Sequence, residues 1–350
     1  MKRKFSRKAL VALFAVSALA LSACSSGDDA SGDVKVSLIL KNQTNPFFVS
    51  MVKGAEAKAA ELGIDLTISS GKEEGDDAAQ IAAIENAISA KHAGIVITVM
   101  STNVNAAITK AREAGLLVIA LDTPTDPADI ADITFATDNR EAGRLIGQWG
   151  AKKLGGQKAV IALLNIFDDR VSPVDYLRDN GFLEGMGIPV NDPNKMADEA
   201  KKGKYSGGDY EIVGNVATGA NEDGGRSGME KLLARNPNIN IVYTINEPTA
   251  IGACAALKAA KKTAIMVSVD GGLSGIEAVK SGCIGATSQQ YPLRMADIGL
   301  QAIYDLVKSG KKPEVTPGKD FFDTGVTLIT DDPQDGVPSE STQYGIDNAW

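Results

Sequence analysis

The sequence has few of the residues that build metal centres and nucleophilic sites. Its 350 residues include a single histidine, His92, and three cysteines. One histidine disfavours a multi-histidine metal site, and three cysteines cannot form a zinc ribbon or a dense disulfide framework. We therefore expect no metal and no cofactor, and we expect His92 to be structural or exposed.

Basic residues are also scarce. Lys and Arg number 36 against 44 Asp and Glu, which gives a formal net charge of −8. A nucleic-acid surface needs a basic stripe, so this balance argues against a nucleic-acid partner. The chain is not short of apolar residues, because 44% of it is hydrophobic and only 23% is charged. That composition and length fit two folded domains.

The first residues have the pattern of an export signal. Residues 2–8 carry five basic side chains and no acidic one, and residues 9–21 are almost wholly apolar. A 13-residue helix would reach only about 20 Å at ~1.5 Å per residue, which is too short for a ~30 Å hydrocarbon core. We therefore interpret residues 1–23 as a secretory signal peptide.

The end of that segment reads Leu21-Ser22-Ala23-Cys24 and resembles the lipobox of bacterial lipoproteins. The resemblance implies that Cys24 is lipidated and becomes the first residue of the mature protein. The polar residues 24–33 would then be a flexible tether. This predicts an extracytoplasmic protein, anchored to the bacterial cell membrane by its lipid. An ordinary signal peptide with an incidental cysteine is the alternative.

From Val34 onward the chain alternates short apolar runs with amphipathic stretches. Buried parallel strands joined by helical crossovers have this pattern. The pattern begins again near Asn139, so we predict two α/β modules side by side. Residues 191–209 are polar and rich in Lys and Gly, and we predict a surface insertion there. The predicted strands cover residues 34–40, 64–70, 94–98, 116–121, 159–164, 211–216, 239–244, 264–269 and 283–287. The predicted helices cover residues 46–62, 76–90, 103–114, 139–154, 173–186, 222–235, 248–260, 273–281 and 294–309, and Asn45 and Gly63 are expected to cap the first of them.

Ligands of open parallel sheets bind beyond the carboxyl ends of the strands. The residues that follow the predicted strands are mostly amides and carboxylates, with one or two cations and an aromatic pair. Carboxylates accept hydrogen bonds from hydroxyl groups and a guanidinium donates them. Aromatic faces can cover the apolar face of a sugar ring. This set favours a neutral polyhydroxyl ligand.

The run Thr44-Asn45-Pro46-Phe47-Phe48 resembles the first ligand-binding segment of the ribose/galactose-type periplasmic binding proteins, which serve ABC sugar importers. Further similar pieces follow in register through residues 34–330. They are Leu121-Asp122, Asp138-Asn139, Arg178-Asp179-Asn180-Gly181-Phe182, Asn246-Glu247, Val269-Asp270-Gly271 and Gln290.

The resemblance implies the type I periplasmic binding protein fold, in which two αβα parallel-sheet domains are joined by a three-segment hinge. The N-terminal domain would comprise residues 33–138 and 290–316, and the C-terminal domain residues 139–289 and 317–350. A monosaccharide would bind between them, and the closed form would dock on the permease subunits of the importer. We expect a monomer and no enzyme activity.

The predicted ligand-binding residues are Lys41, Asn45, Phe47, Phe48, Asp122, Arg178, Asn246, Asp270 and Gln290. Each has a structural alternative, such as a core position for the phenylalanines, a helix cap for Asp270 or a solvated charge for Arg178. The acidic run at residues 73–77 lacks the alternating oxygen spacing of a calcium loop. We interpret it as solvated charge at a helix N-terminus.

Longer stretches resemble the fructose-type members of the family. Three positions depart from the ribose pattern, because Thr123 stands where an arginine is usual, Lys41 replaces a small hydroxyl residue, and Ala220 cannot supply a third aromatic. These departures favour fructose as the ligand. The fructose-type stretches are Ile39–Lys41, Asp122–Pro127, Ile245–Pro248, Ser288–Pro292 and Asp320–Gly325.

Other function classes remain as alternatives. The protein could be a receptor for another monosaccharide or a sugar alcohol, or a sugar sensor for chemotaxis. A sugar-responsive repressor would need an N-terminal helix-turn-helix, where this chain has a signal and a tether. A glycosidase would need a carboxylate pair, for which Asp122 and Asp270 could be proposed. Cys254 and Cys283 are interpreted as small buried side chains, with a disulfide as the extracytoplasmic alternative.

Overall fold

The computed structural model describes residues 34–350. The predicted signal peptide, Cys24 and the tether lie outside the described residues. The strands are β1 (Val34–Leu40), β2 (Ile64–Ser70), β3 (Gly94–Ile97), β4 (Leu117–Leu121), β5 (Ile133–Ala136), β6 (Ala159–Asn165), β7 (Lys202–Tyr205), β8 (Gly208–Ala217), β9 (Ile241–Thr244), β10 (Ile265–Asp270), β11 (Ala286–Gln289), β12 (Phe322–Asp323) and β13 (Thr327–Ile329). The α-helices are α1 (Pro46–Leu62), α2 (Asp77–Ser89), α3 (Asn105–Glu113), α4 (Asn139–Lys153), α5 (Pro173–Met186), α6 (Glu222–Arg235), α7 (Glu247–Ala259), α8 (Leu273–Lys280), α9 (Pro292–Ser309) and α10 (Thr342–Asp347).

The strands form two sheets. The first has the order β12-β5-β4-β3-β1-β2 and is parallel throughout, whereas the second has the order β13-β11-β10-β9-β6-β8-β7 and is antiparallel only at its two edges. Helices α1 and α9 cover one face of the first sheet, and α2 and α3 cover the other. We call this unit the first lobe. The second lobe is the second sheet with α4 to α8 and α10.

Both faces of the central strands are buried, which explains their unbroken apolar runs. In β1, Leu38 packs into the cluster under α1 and α9, and its neighbour Ile39 packs into the cluster under α2 and α3. Successive side chains of a strand point to opposite faces, so a strand covered on both sides needs apolar residues at nearly every position. Fully burying a side chain of this size contributes about 1.5–3 kcal/mol.

Helix α1 begins and ends where the sequence predicts. The Asn45 side chain caps it by accepting a hydrogen bond from the Phe47 backbone N–H, and Pro46 occupies its first turn. Gly63 ends it in the left-handed region with a φ of 66°, where glycine has no Cβ penalty. These caps place Phe47 and Phe48 in the first turn, directly beyond the end of β1.

The chain crosses between the lobes three times, near residues 137–138, 290–291 and 324–326. The first crossing joins β5 to α4 and the second joins β11 to α9. The third joins β12, which pairs with β5, to β13, which pairs with β11. Residues 317–350 were expected in the second domain, but Phe322–Asp323 extends the first sheet because it continues the parallel edge beside β5.

Four further elements differ from the sequence-based prediction. The predicted surface insertion at 191–209 contains β7, which pairs antiparallel with β8 at the edge of the second sheet. Strand β5 was missed, as were β13 and α10. These segments are short, or lie at edges where polar residues are tolerated, so they carry a weak apolar pattern.

Cys254 and Cys283 form a disulfide between α7 and the loop after α8. This is the alternative that the sequence left open, and Cys254 also packs against the apolar cluster under α6 and α7. None of the helices between residues 34 and 350 is long and apolar enough to cross a membrane.

Candidate functional site

One cavity lies at the carboxyl ends of the strands, between the two lobes. All nine residues predicted to bind a ligand line it, although their part in binding remains a prediction. The position follows from the parallel sheets, whose strand ends converge on the same edge. The cavity is lined by Lys41, Asn45, Phe47, Phe48, Glu74, Asp122, Ile166, Val174, Arg178, Ala220, Ile245, Asn246, Asp270 and Gln290.

A buried guanidinium lies between carboxylates of both lobes. Arg178 Nη2 is 3.5 Å from Asp122 Oδ1 in the first lobe, and Nη1 is 3.9 Å from Asp270 Oδ1 in the second. The arginine is fixed by donating from Nε to Asn139 Oδ1 at 2.8 Å and from Nη1 to the Ile245 carbonyl at 2.9 Å. These contacts hold its planar donor face in one orientation.

Asp270 is the most constrained of these groups. Its Oδ1 accepts a hydrogen bond from Gln290 Nε2 at 2.8 Å. Burial raises the pKa of Asp270 to about 7, and the nearby Arg178 charge opposes that rise. Its backbone has a φ of 144°, and that of Asp122 has a φ of 63°. Positive φ is uncommon outside glycine and often marks functional positions.

Two buried oxygens at the cavity have no hydrogen-bond donor among residues 34–350. They are Asp122 Oδ1, whose nearest cation is Arg178 at 3.5 Å, and Gln290 Oε1. A buried acceptor without a donor costs free energy. Both residues line the cavity, so a ligand that offers hydroxyl donors there would remove that cost.

Glu74 is a cavity residue that the sequence analysis missed. Its Oε1 lies 3.2 Å from Lys41 Nζ, and both side chains are almost fully buried. Its Oε2 accepts from Asn42 Nδ2 at 3.0 Å. The interpretation of residues 73–77 as solvated charge is therefore wrong for Glu74. Its position after β2, at the same edge as the other strand ends, could have identified it.

The other acids of that run also have specific partners. Asp76 caps α2 by accepting from the Ala79 backbone N–H. The hydrogen bond from the Lys72 backbone N–H, followed by the one from Ala79, lowers the pKa of Asp76. Asp77 accepts hydrogen bonds from Ser101 Oγ and from Arg170 Nη1. Arg170 comes from the second lobe, so this pair joins the lobes beside the cavity.

The aromatic pair belongs to both the core and the cavity. Phe47 and Phe48 are 3% and 4% exposed and meet edge to face with ring centroids 5.3 Å apart. Phe47 also meets Trp350 at 5.4 Å in the same geometry. Both rings belong to the first-lobe core cluster and both also line the cavity, so a core position and a cavity position do not exclude each other.

The position of Arg178 depends on close packing of α4 against α5. A Cβ on Gly143 would lie 2.2 Å from the Arg178 carbonyl oxygen, and a Cβ on Gly147 would lie 2.2 Å from the Phe182 carbonyl. Gly181 and Gly185 on α5 make equally close approaches to α4. The backbones of the two helices can therefore approach closely only because all four positions lack a side chain.

Buried carboxylates support the second-lobe side of the cavity. Asp175 accepts from the backbone N–H groups of Ile166 and Phe167 at 3.0 Å, and burial raises its pKa to about 7. Glu247 accepts from the N–H groups of Gly271 and Gly272. Burial raises the pKa of Glu247 to about 8, and the Asp270 charge adds to this. These carboxylates orient the loops that carry Ile166 and Asp270.

A larger cavity opens near the first crossing. Three of its charged residues are paired, since Tyr176 Oη donates to Asp126 at 3.1 Å, Arg140 pairs with Glu184 at 2.6 Å and Asp138 pairs with Lys319 at 2.7 Å. The smaller cavity differs because two acceptors of its lining residues, Asp122 Oδ1 and Gln290 Oε1, have no donor among residues 34–350. Within residues 34–350, no three His, Cys, Asp or Glu side chains are arranged to hold a metal ion.

Comparison with known proteins agrees with this architecture. Residues 36–312 match the family described as periplasmic binding protein domain. The chain is similar to the ribose import binding protein RbsB of Haemophilus influenzae, with 29% identity over 309 residues that cover 88% of this chain and 96% of the relative. It is also similar to the D-allose-binding periplasmic protein of Escherichia coli, with 26% identity, covering 84% of this chain and 91% of the relative.

Solved structures give the same result. An ABC transporter solute-binding protein from Agrobacterium vitis, with bound D-fucose, has a TM-score of 0.71 and 26% identity, covering 85% of this chain and 95% of that one. A galactofuranose-binding protein shares the fold with a TM-score of 0.73 at 22% identity, covering 90% of this chain and 97% of that one. The chain therefore belongs to the periplasmic binding protein domain family, with the type I fold, and it is a solute-binding protein rather than an enzyme.

Proposed function

We propose that this protein is an extracytoplasmic lipoprotein that captures a monosaccharide in the cavity between its lobes and delivers it to an ABC importer. The observation that carries the proposal is the Arg178 guanidinium held between Asp122 and Asp270, with the Phe47–Phe48 pair lining the same cavity. The names of the relatives, which bind ribose and allose, support a sugar as the ligand class.

The cavity chemistry matches a neutral polyhydroxyl compound. Each sugar hydroxyl both donates and accepts, and the cavity offers acceptors at Asp122 and Asp270 beside donors at Arg178. The ring faces of Phe47 and Phe48 would cover the apolar face of the sugar. An anionic ligand would meet two buried carboxylates, and a strongly cationic ligand would meet Arg178 and Lys41.

Fructose is the sugar that we propose first. Thr123 is not among the residues that line the cavity, and its Oγ1 donates to Asp122 Oδ2 at 2.9 Å. Arg178 is therefore the guanidinium in the cavity wall. The Lys41–Glu74 pair adds a donor and an acceptor on the first-lobe side, and Ala220 leaves space where a third aromatic would stand. These features favour a sugar larger than ribose.

The burial of residues from both lobes supports a closed arrangement in which the sugar is surrounded. Arg178 in the second lobe and Asp122 in the first are each 4% exposed. A ligand can shift a hinge only through contacts that differ between the open and closed forms. Hydrogen bonds to both lobes are such contacts, and the closed monomer would be the form that docks on the permease.

A panel of sugars tests this function. Thermal shift with fructose, ribose, allose, glucose and a sugar alcohol should identify binders, since a ligand at 100 times its dissociation constant adds about 2.7 kcal/mol. Calorimetry should then give a micromolar or tighter dissociation constant for fructose, about −8 kcal/mol, and at least roughly tenfold weaker binding of ribose. Tighter binding of ribose or allose would overturn the choice of fructose, and binding of no sugar would overturn the function.

The lipid anchor is tested separately by Cys24→Ala. The lipobox-like run Leu21–Cys24 after the apolar segment motivates the change. Metabolic labelling with a fatty acid should mark the wild-type protein and not the variant. Equal labelling of both proteins would overturn the anchoring proposal and leave the sugar-binding proposal unchanged.

A further inference from the structure

Trp350 touches both lobes beside the cavity, although it does not line the cavity itself. Its indole meets the Phe47 ring edge to face at 5.4 Å, and its Nε1 donates to the Gln290 carbonyl at 3.0 Å. On the other side the indole lies against Gly272, where an added Cβ would come within 2.8 Å of it. Phe47 and Gln290 both line the cavity, so Trp350 is one contact away from the ligand on two sides.

The segment that carries Trp350 is fixed to the second lobe. The Gly345 carbonyl of α10 accepts from Gln289 Nε2 at 2.9 Å, at the end of β11. Thr342 donates through both its N–H and its hydroxyl to Asp331. Gly345 is also packed so closely that an added Cβ would lie 2.5 Å from Ile276 of α8. Helix α10 must therefore move with the second lobe.

The surface that receives the indole belongs to the first lobe. Phe47 is in the first turn of α1, and Trp350 packs as a half-buried residue on the apolar cluster that contains Phe47 and Met51. A tryptophan carried by one lobe thus completes the apolar cluster of the other. Separation of the lobes would break this contact and expose both rings.

We propose that Trp350 is a positioning residue that acts as a clasp: its contacts with both lobes stabilise the closed form. Through this effect, a side chain outside the cavity would raise the affinity for sugar. The proposal rests on the proposed function, because its effect on affinity needs a sugar that favours closure. The indole packs against the Phe47 ring and donates a hydrogen bond to the Gln290 carbonyl. The Gln290 side chain in turn donates to Asp270. It also supplies an aromatic contact between the lobes, whereas Ala220 in the cavity wall can supply none.

Affinity measurements on substituted proteins test the clasp. Trp350→Ala should weaken binding of the tightest sugar of the panel about tenfold, mostly through faster dissociation, because one aromatic pair and one hydrogen bond are lost. Trp350→Phe keeps a ring against Phe47 and should recover part of the loss. The matched control is Gln343→Ala, which removes an exposed side chain from α10 and should bind as wild type. Wild-type affinity of Trp350→Ala would overturn the proposal.

Fluorescence separates a clasp from a merely structural role. The sequence has two tryptophans, and the other, Trp149, is 1% exposed in the core of the second lobe. In Trp149→Phe, emission therefore comes from Trp350. Saturating sugar should shift that emission to shorter wavelength and reduce its quenching by acrylamide. Sugar binding with unchanged emission and quenching would overturn the clasp.

A measurement without ligand keeps the two proposals distinguishable. If no sugar of the panel binds the wild-type protein, the proposed function fails, and the clasp is judged by small-angle scattering of the sugar-free proteins. Trp350→Ala should then have a larger radius of gyration than wild type, since the closed form loses a contact between lobes. Equal radii would overturn the clasp.

Discussion

The two walls of the cavity are built in different ways. The first-lobe wall combines the Phe47–Phe48 pair, which a capped helix places at the cavity, with buried charges at Asp122 and in the Lys41–Glu74 pair. The second-lobe wall relies on Arg178 and Asp270, which are held by buried amides and carbonyls. The aromatic surface lies on the first wall, whereas both walls contain buried charges.

This difference predicts where binding free energy resides. Apolar rings are stable in a closed cleft with or without a ligand, because burial favours them in both cases. Buried carboxylates and a buried guanidinium are costly unless their hydrogen bonds are satisfied. A polyhydroxyl ligand improves the buried charged groups more than the aromatic pair, so affinity should depend more strongly on Asp270 and Arg178 than on Phe47 and Phe48.

Asp270→Ala should have the largest effect. It removes an acceptor from sugar hydroxyls and leaves Gln290 Nε2 without its partner at 2.8 Å. We expect sugar binding to weaken by about 2 kcal/mol or more, roughly 30-fold. Calorimetry on the purified variant measures this, with Asp223→Ala, an exposed carboxylate of α6, as the control that should retain affinity. An affinity within a factor of about two of wild type would mean that the site is misplaced.

Gly143→Ala should displace Arg178 in the second-lobe wall, because it forces α4 and α5 apart. The new Cβ would lie 2.2 Å from the Arg178 carbonyl and 2.8 Å from the Phe182 nitrogen, so α4 and α5 must separate. Overpacking of this kind costs about 1–3 kcal/mol. Denaturant unfolding should show that loss, together with weaker sugar binding through a displaced Arg178. Gly228→Ala is the milder control because it meets only side-chain carbons, the nearest at 3.0 Å.

The fold was largely predictable because its central elements repeat one pattern. Strands β1 and β2 and helices α1 and α5 match the predicted bounds residue for residue, since apolar runs, a cap and glycine stops all agree there. Strand β7 was missed because it is a polar edge strand. Strand β12 was not predicted, and its residues fall in the range 317–350 expected in the second domain, because two residues have no periodicity of their own.

Most of the cavity lining was predictable because it follows strand ends, whereas Arg178 on α5 was indicated by the family resemblance. The nine predicted residues meet at one cavity because parallel strands bring their carboxyl ends together. Glu74 was missed because an acidic run is usually solvated. Trp350 was missed because it lies outside the strand ends and about three hundred residues from its partner Phe47, and nothing local indicates their contact.

Sugar affinity should fall as the pH is lowered through about 7. Burial raises the pKa of Asp270 to about 7, so below that pH the group is protonated and loses acceptor capacity. The Arg178 charge and the hydrogen bond from Gln290 oppose this protonation, and the charge of Asp122 favours it. Affinity at pH 6 should be about tenfold weaker than at pH 8. Asp270→Asn should bind weakly with little pH dependence, and an unchanged wild-type affinity across this range would contradict the prediction.

The free energy of unfolding of the sugar-free protein should rise as the pH is lowered, whereas sugar affinity should fall. The pKa values of Asp270, Asp175 and Glu247 are raised to about 7, 7 and 8. The folded state therefore binds more protons than the unfolded state, which titrates near 4. Their contribution to stability is fully present below about pH 4 and is lost as the pH rises through 7 to 8. Thermal unfolding of wild type and Glu247→Gln should show a shallower decline in the variant.

Phe48→Leu should have the smallest effect of the four binding tests. Leucine keeps apolar contact with the first-lobe cluster but loses the flat ring face and the edge-to-face contact with Phe47 at 5.3 Å. Such a ring contact is worth about 0.5–1.5 kcal/mol beyond its buried area, so binding should weaken roughly two- to tenfold. The control is Phe135→Leu, which removes a buried ring of the same lobe outside the cavity lining. It should lose as much stability as Phe48→Leu but should keep the wild-type affinity for sugar. A larger loss of affinity for Phe48→Leu than for Asp270→Ala would reverse the comparison, because the aromatic pair would then supply most of the binding free energy.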